Sequence, residues 1–206
     1  MSDYDLDDAY TIKGAADAKA LYDNWASTYD RSFGEAHGYV APREIARVFT
    51  SLNHRNEPIL DIGAGTGLVA DNLPGLAVDG IDISKAMLDQ AKAKGLYRDR
   101  IVADLTKTLP MKDATYGGLV SCGTFTHGHV GPEAFPELMR IAKRGALFVC
   151  GVIPPVYDGK SFGSKLALMV AHKMITPVDF HDIPIYENAD HEHAQDRGLV
   201  MVFRKL

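Results

Sequence analysis

Three aspartates occur where carboxylates could bind a ligand. Asp61 opens the glycine-rich stretch DIGAGTG, residues 61–67, and Asp82 and Asp104 each follow a later apolar run. Glycines let the backbone approach a ligand closely, and a carboxylate accepts hydrogen bonds from paired hydroxyl groups such as those of a ribose. The pattern therefore indicates a site for a nucleoside-containing ligand, provided that the fold brings the three side chains together.

Two histidines form a second candidate group. The segment GTFTHGHVGP, residues 123–132, places His127 and His129 one residue apart. An imidazole with an ordinary pKa near 6.5 can take a proton from an attacking hydroxyl or amine. His127 is the candidate for this role, with a histidine that only shapes the pocket as the alternative. His129 is expected to be structural.

A metal site is the third chemistry to consider. It would need three or more converging ligands. HGH, His181-Asp182 and His191-Glu192-His193 could supply them only if distant loops met. We therefore expect no metal.

The elements that position these residues alternate from residue 58 onward. The predicted strands are PILDIGAG, AVDGIDIS, RIVADL, GGLVSCG and ALFVCGV. The predicted helices are residues 15–33 and 39–53, one opening after the glycine stretch, SKAMLDQAKAKG from Ser84 to Gly95, and roughly EAFPELMRIAKRG, ending at Gly145. Near-continuous apolar strands alternating with helices predict a doubly wound parallel sheet with right-handed crossovers. The three aspartates then lie at one carboxyl edge of that sheet.

The last segments differ in their connection. VDFHDIPIYE and GLVMVFRKL are predicted strands separated only by the turn-rich NADHEHAQDR. This connection is too short for a helical crossover, so it predicts an antiparallel final pair.

Composition limits the classes of function. The chain has 206 residues, 46% of them hydrophobic and 24% charged, and a net charge of −5, which together predict one globular domain and argue against nucleic-acid partners. Pro154 and Pro155 interrupt the most apolar stretch, so no membrane span is expected. Cys122 and Cys150 lie in apolar runs, as buried thiols of a reducing, cytoplasmic protein do.

The acidic residues 1–14 are expected to be flexible and to carry no secretory signal. They precede a single predicted domain, residues 15–206, which consists of a helical cap (15–55) and a cofactor-binding sheet (56–206).

The glycine stretch separates two classes of cofactor. Dinucleotide binding favours G-x-G-x-x-G, but the third glycine position is Leu68, and no Y-x-x-x-K pair occurs in the chain. Asp61 would repel a pyrophosphate yet suits a cofactor that carries an ammonium and a sulfonium group. The residues therefore favour S-adenosylmethionine over a nicotinamide dinucleotide.

A family resemblance extends over residues of about 20–152. It is carried by LYDNWASTYD, ILDIGAGTGLVA, GIDISKAMLDQAKAKGLY, ADLTKTLP and FTHGHVGPEAFPELMRI. These segments resemble class I S-adenosylmethionine-dependent methyltransferases, and among them the methyltransferase-like proteins named for the Williams–Beuren syndrome chromosome region. The glycine stretch is common to the superfamily, whereas FTHGHVGP is more specific to this subgroup.

The resemblance implies a fold and a set of cofactor contacts. The implied fold is a Rossmann-like, doubly wound seven-stranded α/β sheet whose last strand is antiparallel, with N-terminal helices that cap the cofactor site. The implied contacts to S-adenosylmethionine are Tyr22, Tyr29, Asp61, Gly63, Ala64, Gly65, Asp82, Ile83, Met87, Asp104, Leu105 and Ser121. Trp25 could contact the cofactor or belong to a core-facing stripe with the two tyrosines.

The expected function is methyl transfer to a small-molecule acceptor, with no nucleic-acid or membrane partner. The acceptor would be held by the N-terminal helices, the loop after the fourth strand and residues 153–180. Two alternatives stay open, a nicotinamide-dependent oxidoreductase on the same kind of sheet and a non-catalytic module that binds S-adenosylmethionine. The acceptor and the oligomeric state are left open.

Overall fold

The structure is a computed structural model that describes residues 8, 11–12, 14–53 and 55–206. Most of the predicted flexible segment, residues 1–14, lies outside the described residues. Within that segment Ile12 is buried, 7% exposed. A Cβ added to Gly128 would lie 1.5 Å from the Ile12 carbonyl oxygen, so this part of the chain lies directly against the HGH loop.

Seven strands form one sheet in the order β3-β2-β1-β4-β5-β7-β6. Strand β7 runs antiparallel to both of its neighbours, and the other pairings are parallel. This confirms the predicted fold class, including the antiparallel final pair. The strands are β1 Ile59–Ile62, β2 Val78–Asp82, β3 Arg100–Val102, β4 Tyr116–Phe125, β5 Ala142–Val152, β6 Asp179–Pro184 and β7 Arg197–Arg204.

Helices cover both faces of the sheet. Buried residues of the helices and strands together form two large clusters. Strand β1 is buried along its whole length, which explains its continuous apolar sequence. The α-helices are α1 Ala15–Trp25, α2 Ala41–Leu52, α3 Lys85–Lys94, α4 Phe135–Ile141, α5 Pro154–Gly159 and α6 Phe162–Ala171. Short 3₁₀ turns lie at Ala70–Asn72 and Pro132–Ala134, and a π-helical turn at Asp30–Glu35.

The prediction for helix α3 is confirmed at both ends. The Ser84 hydroxyl accepts a hydrogen bond from the backbone N–H of Met87 at 3.1 Å, so Ser84 is the N-cap. Gly95 ends the helix in the left-handed region, with φ +70°.

Three helix predictions were wrong in part. No α-helix opens after the glycine stretch, because Pro74 disfavours a helical conformation at Leu73 and the chain forms only the 3₁₀ turn. The predicted helix 15–33 ends at Trp25, where the Thr28 hydroxyl bonds the Trp25 carbonyl oxygen.

The third error concerns the end of helix α4. It ends at Ile141 instead of Gly145, and strand β5 begins at Ala142, opposite Tyr116. The ammonium group of Lys205 donates to the carbonyl oxygens of Met139 and Ala142, at 2.8 Å each. This long-range cap satisfies carbonyls that the predicted helix would have used itself.

Candidate functional site

A cleft of about 990 Å³, including its open mouth, lies at the carboxyl edge of β1, β2 and β4. We call it the nucleoside cleft. Ten of the predicted cofactor contacts line it: Tyr22, Tyr29, Gly63, Ala64, Gly65, Asp82, Ile83, Met87, Asp104 and Leu105. That these side chains come together is observed, and their contact with a cofactor stays a prediction.

Asp82 ends strand β2 and is fixed by backbone groups. One carboxylate oxygen accepts the N–H of Gly65 at 2.8 Å, and the other accepts the N–H of Ser84 at 2.8 Å. Burial raises the pKa of the Asp82 carboxyl, and these hydrogen bonds oppose the increase. Because each carboxylate oxygen has a second lone pair, Asp82 can accept two further hydrogen bonds from a ribose diol.

The glycine stretch forms the floor of the cleft. Gly63 has φ +67°, and a Cβ there would lie 2.0 Å from the Thr124 hydroxyl oxygen, so no other residue fits without displacement. Gly65 has φ +53°, and a Cβ there would meet nothing within 4 Å. The open side of Gly65 leaves its backbone accessible to a ligand.

Two predicted contacts, Asp61 and Ser121, lie behind the wall of the cleft. Ser121 is fully buried and donates to the Ile62 carbonyl oxygen at 2.9 Å. Asp61 is 1% exposed and accepts the Tyr97 hydroxyl at 2.7 Å. Its Oδ1 has no hydrogen-bond partner among the residues that the structure describes. Burial raises the pKa of Asp61 to about 7, against the lowering effect of the Tyr97 hydrogen bond.

The N-terminal segment closes one side of the cleft with aromatic rings. Tyr22, Tyr29 and Tyr39 all line it. Burial raises the pKa of each of these phenols, so they remain neutral. Trp25 is fully buried, packs on Phe33 and donates from Nε1 to the Ser32 hydroxyl at 2.7 Å. Of the two possibilities for Trp25, the core position is therefore the observed one.

Polar contacts fasten this segment to the loops that form the cleft. Asp23 accepts the Ser84 hydroxyl at 2.6 Å, so the N-cap residue that bonds Asp82 also bonds helix α1. Asp30 accepts the Thr66 hydroxyl and pairs with Lys94. The helical cap is thus bonded to Ser84, just after β2, and to Thr66 of the glycine stretch, on either side of the position expected for the nucleoside.

The structure places the two histidines differently. His129 is partly buried, and its Nε2 lies 3.0 Å from the Tyr22 hydroxyl oxygen while its Nδ1 bonds the His127 carbonyl oxygen. A carbonyl only accepts, so Nδ1 carries the proton and Nε2 holds a lone pair. Burial lowers the pKa of His129 to about 4, which keeps it neutral at pH 7. His127 is half-buried and is not among the residues that line the cleft.

A second cavity adjoins the first, and we call it the apolar chamber. It is lined by the end of β4, residues 151–153 at the end of β5 and just after it, Ile183, Ile185 and Tyr186 around the end of β6, and residues 198–199 of β7. The two cavities share a wall of six residues, which are Tyr22, Tyr29, Tyr39, Cys122, Gly123 and His129. Of residues 153–180, which were expected to help hold the acceptor, Ile153 lines this chamber, and the position of the acceptor stays a prediction.

Sequence reasoning did not assign several residues of the cleft wall, among them Ala18, Thr66, Cys122 and Thr124. Cys122 and Thr124 follow Ser121 on β4, and this strand continues to Phe125, beyond its predicted end near Cys122. Its pairing with β5 is irregular between Ser121 and Phe125. The sequence signal for these wall residues was the run of small and polar residues 121–124, SCGT, at the end of a buried strand.

Two absences hold for residues 8, 11–12, 14–53 and 55–206. No group of three or more His, Cys, Asp or Glu side chains is arranged to hold a metal ion. No helix there combines the length and hydrophobicity needed to cross a bilayer.

The fold and cleft define a class of protein. A Rossmann-like sheet with a reversed strand β7, a glycine stretch after β1 and a carboxylate at the end of β2 are shared with class I S-adenosylmethionine-dependent methyltransferases. Residues 60–150 match the family model for a methyltransferase domain. This part of the chain is therefore a methyltransferase domain of that class, as the resemblance predicted, and the cofactor of the class is S-adenosylmethionine.

Comparison with individual proteins agrees. Human methyltransferase-like protein 27 is 36% identical over 149 residues, covering 69% of this chain and 60% of the relative. Bovine 18S rRNA (guanine-N(7))-methyltransferase is 43% identical over 65 residues, covering 31% of this chain and 23% of the relative. The chain thus spans less than two thirds of either curated relative.

A solved structure supports the same fold. The 1,6-didemethyltoxoflavin-N1-methyltransferase of Burkholderia thailandensis, with bound 1,6-didemethyltoxoflavin and S-adenosylhomocysteine, superposes with a TM-score of 0.59. It is 19% identical, and the match covers 91% of this chain and 88% of that one. At this identity the likeness concerns the fold alone.

Proposed function

We propose that this protein transfers a methyl group from S-adenosylmethionine to a small-molecule acceptor in the cytoplasm. The observation that carries the proposal is the nucleoside cleft, where a carboxylate able to accept a ribose diol, an open glycine backbone and neutral aromatic rings converge. The single-domain assignment of residues 15–206 is retained, because Trp25 and Phe33 of the cap cluster with Tyr186, which follows β6.

The residues present fit the proposed cofactor. Asp82 and Asp104 are the charged residues lining the described part of the cleft, and both are acidic. A cofactor with an ammonium and a sulfonium group suits this charge, and tyrosine faces attract a sulfonium. The buried Oδ1 of Asp61 lies behind the same wall without a described partner. A pyrophosphate would find no compensating cation here.

When bound, the cofactor supplies an electrophilic methyl group. The chain's own residues have to exclude water, orient the acceptor and receive its proton. Methyl transfer to a neutral hydroxyl or amine forms the new bond from oxygen or nitrogen to carbon, breaks the sulfur–carbon bond and releases one proton from the acceptor. Nε2 of His129 accepts the Tyr22 hydroxyl in the wall between the cavities, so His129 is suited to take that proton through Tyr22: the Tyr22 oxygen receives the acceptor's proton as Tyr22 passes its own to Nε2.

The catalytic role of His127 stays a prediction, as the alternative to proton transfer to His129. His127 lines neither cavity, whereas its carbonyl oxygen fixes the tautomer of His129. A comparison of His127→Asn and His129→Asn separates the two roles. If His129 is the base, His129→Asn lowers turnover about 10²–10⁴-fold and removes a rise in rate centred on the His129 pKa of about 4. The reverse ranking of the variants would assign the role to His127.

A small acceptor is favoured over RNA by the charge of the site. No Lys or Arg is among the described residues that line either cavity, and the chain as a whole is acidic. RNA binding depends on cationic contacts to phosphates. The names of the compared proteins include both kinds of acceptor, 18S rRNA and 1,6-didemethyltoxoflavin.

Labelled methyl donor tests the proposal. The protein is incubated with S-adenosylmethionine labelled in its methyl group and, separately, with a small-metabolite extract and with total RNA. We expect label in the small-metabolite fraction, reduced by Asp82→Ala. Label in RNA would contradict the acceptor class. Tight cofactor binding with no transfer to either fraction would favour the non-catalytic module, and binding of NAD alone would favour the oxidoreductase.

A further inference from the structure

The apolar chamber is unusual in what its wall lacks. Its described lining contains no Asp, Glu, Lys or Arg, although the adjoining nucleoside cleft contains two aspartates. The lining is formed mainly by aromatic rings, aliphatic side chains and three glycines. Its polar side chains, apart from tyrosine hydroxyls, are Cys122, Thr126 and His129. Each of these is neutral or can be neutral at pH 7.

The polar groups of the wall are already paired or desolvated. The Tyr39 hydroxyl lies 3.1 Å from the Cys122 sulfur, and burial raises the pKa of Cys122 to about 12, so the thiol stays protonated. Tyr22 and His129 bond each other at the boundary with the cleft. A charged ligand entering here would lose its hydration without gaining an ion pair. A neutral ring would gain apolar burial and stacking against the tyrosines.

We propose that the apolar chamber selects the acceptor, and that the acceptor is a small neutral molecule with an aromatic or alicyclic body and one hydroxyl or N–H nucleophile. This inference rests on the proposed function. The apolar body occupies the chamber, and the nucleophile faces the shared wall, where the Tyr22 oxygen can accept its hydrogen while the Tyr22 O–H bonds His129. Phosphorylated and carboxylated acceptors are disfavoured by the same wall, and an ammonium group finds no carboxylate in its described lining.

Three probes that share a 4-alkylphenol body and differ in the charge at the end of the alkyl chain test the selection. They are 4-propylphenol, which is neutral, tyramine, which is cationic, and 3-(4-hydroxyphenyl)propionate, which is anionic. Each is titrated by calorimetry into the full chain saturated with S-adenosylhomocysteine. We expect 4-propylphenol to bind at least about tenfold more tightly than the charged probes, because each of them would bury an unpaired charge. Equal affinities, or tighter binding of a charged probe, would overturn the proposal.

Two variants locate the binding in the chamber. A Cβ added to Gly198 would meet Ile185 and Ile183 at the ordinary distances of 3.5 and 3.6 Å, so Gly198→Ala adds a methyl group to the wall without a backbone clash. It is expected to weaken 4-propylphenol binding and to leave S-adenosylhomocysteine affinity unchanged. Ile153 is half-buried and lines only the chamber. Ile153→Asp should shift the preference towards tyramine, whereas Ile153→Asn should not.

The failure of this inference is separable from failure of the proposed function. If S-adenosylhomocysteine does not bind to the wild-type chain, the proposed function fails before any probe is added. If it binds and 4-propylphenol does not, or if the Gly198 variant leaves 4-propylphenol affinity unchanged and Ile153→Asp leaves the preference among the probes unchanged, the acceptor class is wrong and the cofactor site stands. Binding of a short guanosine-containing RNA more tightly than 4-propylphenol would likewise overturn the class.

Discussion

The stability of the cofactor-free protein should depend on pH through Asp61. Its folded-state pKa is about 7 instead of the ordinary 3.8, because burial disfavours the charged form. For an acid whose pKa is raised in the folded state, the stabilisation is present below the unfolded-state pKa of 3.8 and is lost as the pH rises towards 7. Each pKa unit corresponds to about 1.4 kcal/mol, so ionised Asp61 costs the folded state about 4 kcal/mol at high pH.

The variant Asp61→Asn removes this dependence. The amide oxygen can still accept the Tyr97 hydroxyl, while the amide nitrogen replaces the carboxylate oxygen that lacks a described partner. A buried unsatisfied amide costs about 1–3 kcal/mol at every pH. The unfolding free energy of the variant relative to wild type should therefore increase by about 3 kcal/mol between pH 4.5 and pH 8, from less stable to more stable.

Urea unfolding at pH 4.5, 6 and 8 measures this difference directly. Ser121→Ala is the matched control, since Ser121 is equally buried on the adjacent strand and does not titrate in this range. Its stability relative to wild type should be the same at the three pH values. If Asp61→Asn behaves like this control, the carboxyl is not desolvated as the structure indicates, and the reasoning about Asp61 is refuted.

Three further predictions concern the cleft. Asp82→Ala should weaken S-adenosylhomocysteine binding about 10- to 150-fold, because about 1.5–3 kcal/mol of charge-assisted hydrogen bonds is lost; calorimetry measures this. The same variant should have a lower melting temperature in thermal unfolding, because the Gly65 and Ser84 N–H groups lose their acceptor. The pKa of His129 is lowered from 6.5 to about 4, so its contribution to stability is full above pH 6.5 and is lost as the pH falls. The wild-type free energy of unfolding should therefore fall by about 2 kcal/mol through this residue between pH 7 and pH 4.5, a change opposite in sign to that of Asp61. The His129→Asn variant should lack this fall, and an unchanged pH profile would contradict the prediction. Gly63→Ala should destabilise the protein by clearly more than the roughly 1 kcal/mol expected of a left-handed alanine, whereas Gly75→Ala, with φ +79° and nothing within 4 Å of its Cβ, should cost only that strain.

The sheet could be predicted from the sequence because its strands are buried on both faces. Such strands appear as uninterrupted apolar runs, and the aspartates that end β2 and follow β3 then had to share one edge. Local capping chemistry was equally informative, as Ser84 and Gly95 show at the ends of α3. These features depend on residues close in sequence.

The errors arose where distant residues decide the structure. Helix α4 ends early because Tyr116 pairs with Ala142 and Lys205 caps the helix from the end of the chain. The apolar chamber was not predicted, because it forms only when β6 and β7 fold back beside the helical cap. No local pattern reports such an assembly.

Calorimetric titration of the wild-type chain with S-adenosylmethionine, S-adenosylhomocysteine and NAD tests the central claim most directly. The account predicts one binding site per chain for the first two ligands, with affinities within about tenfold of each other, because adenosine and amino-acid contacts dominate, and no binding of NAD. Binding of NAD without binding of either adenosyl ligand would contradict the assignment of the nucleoside cleft.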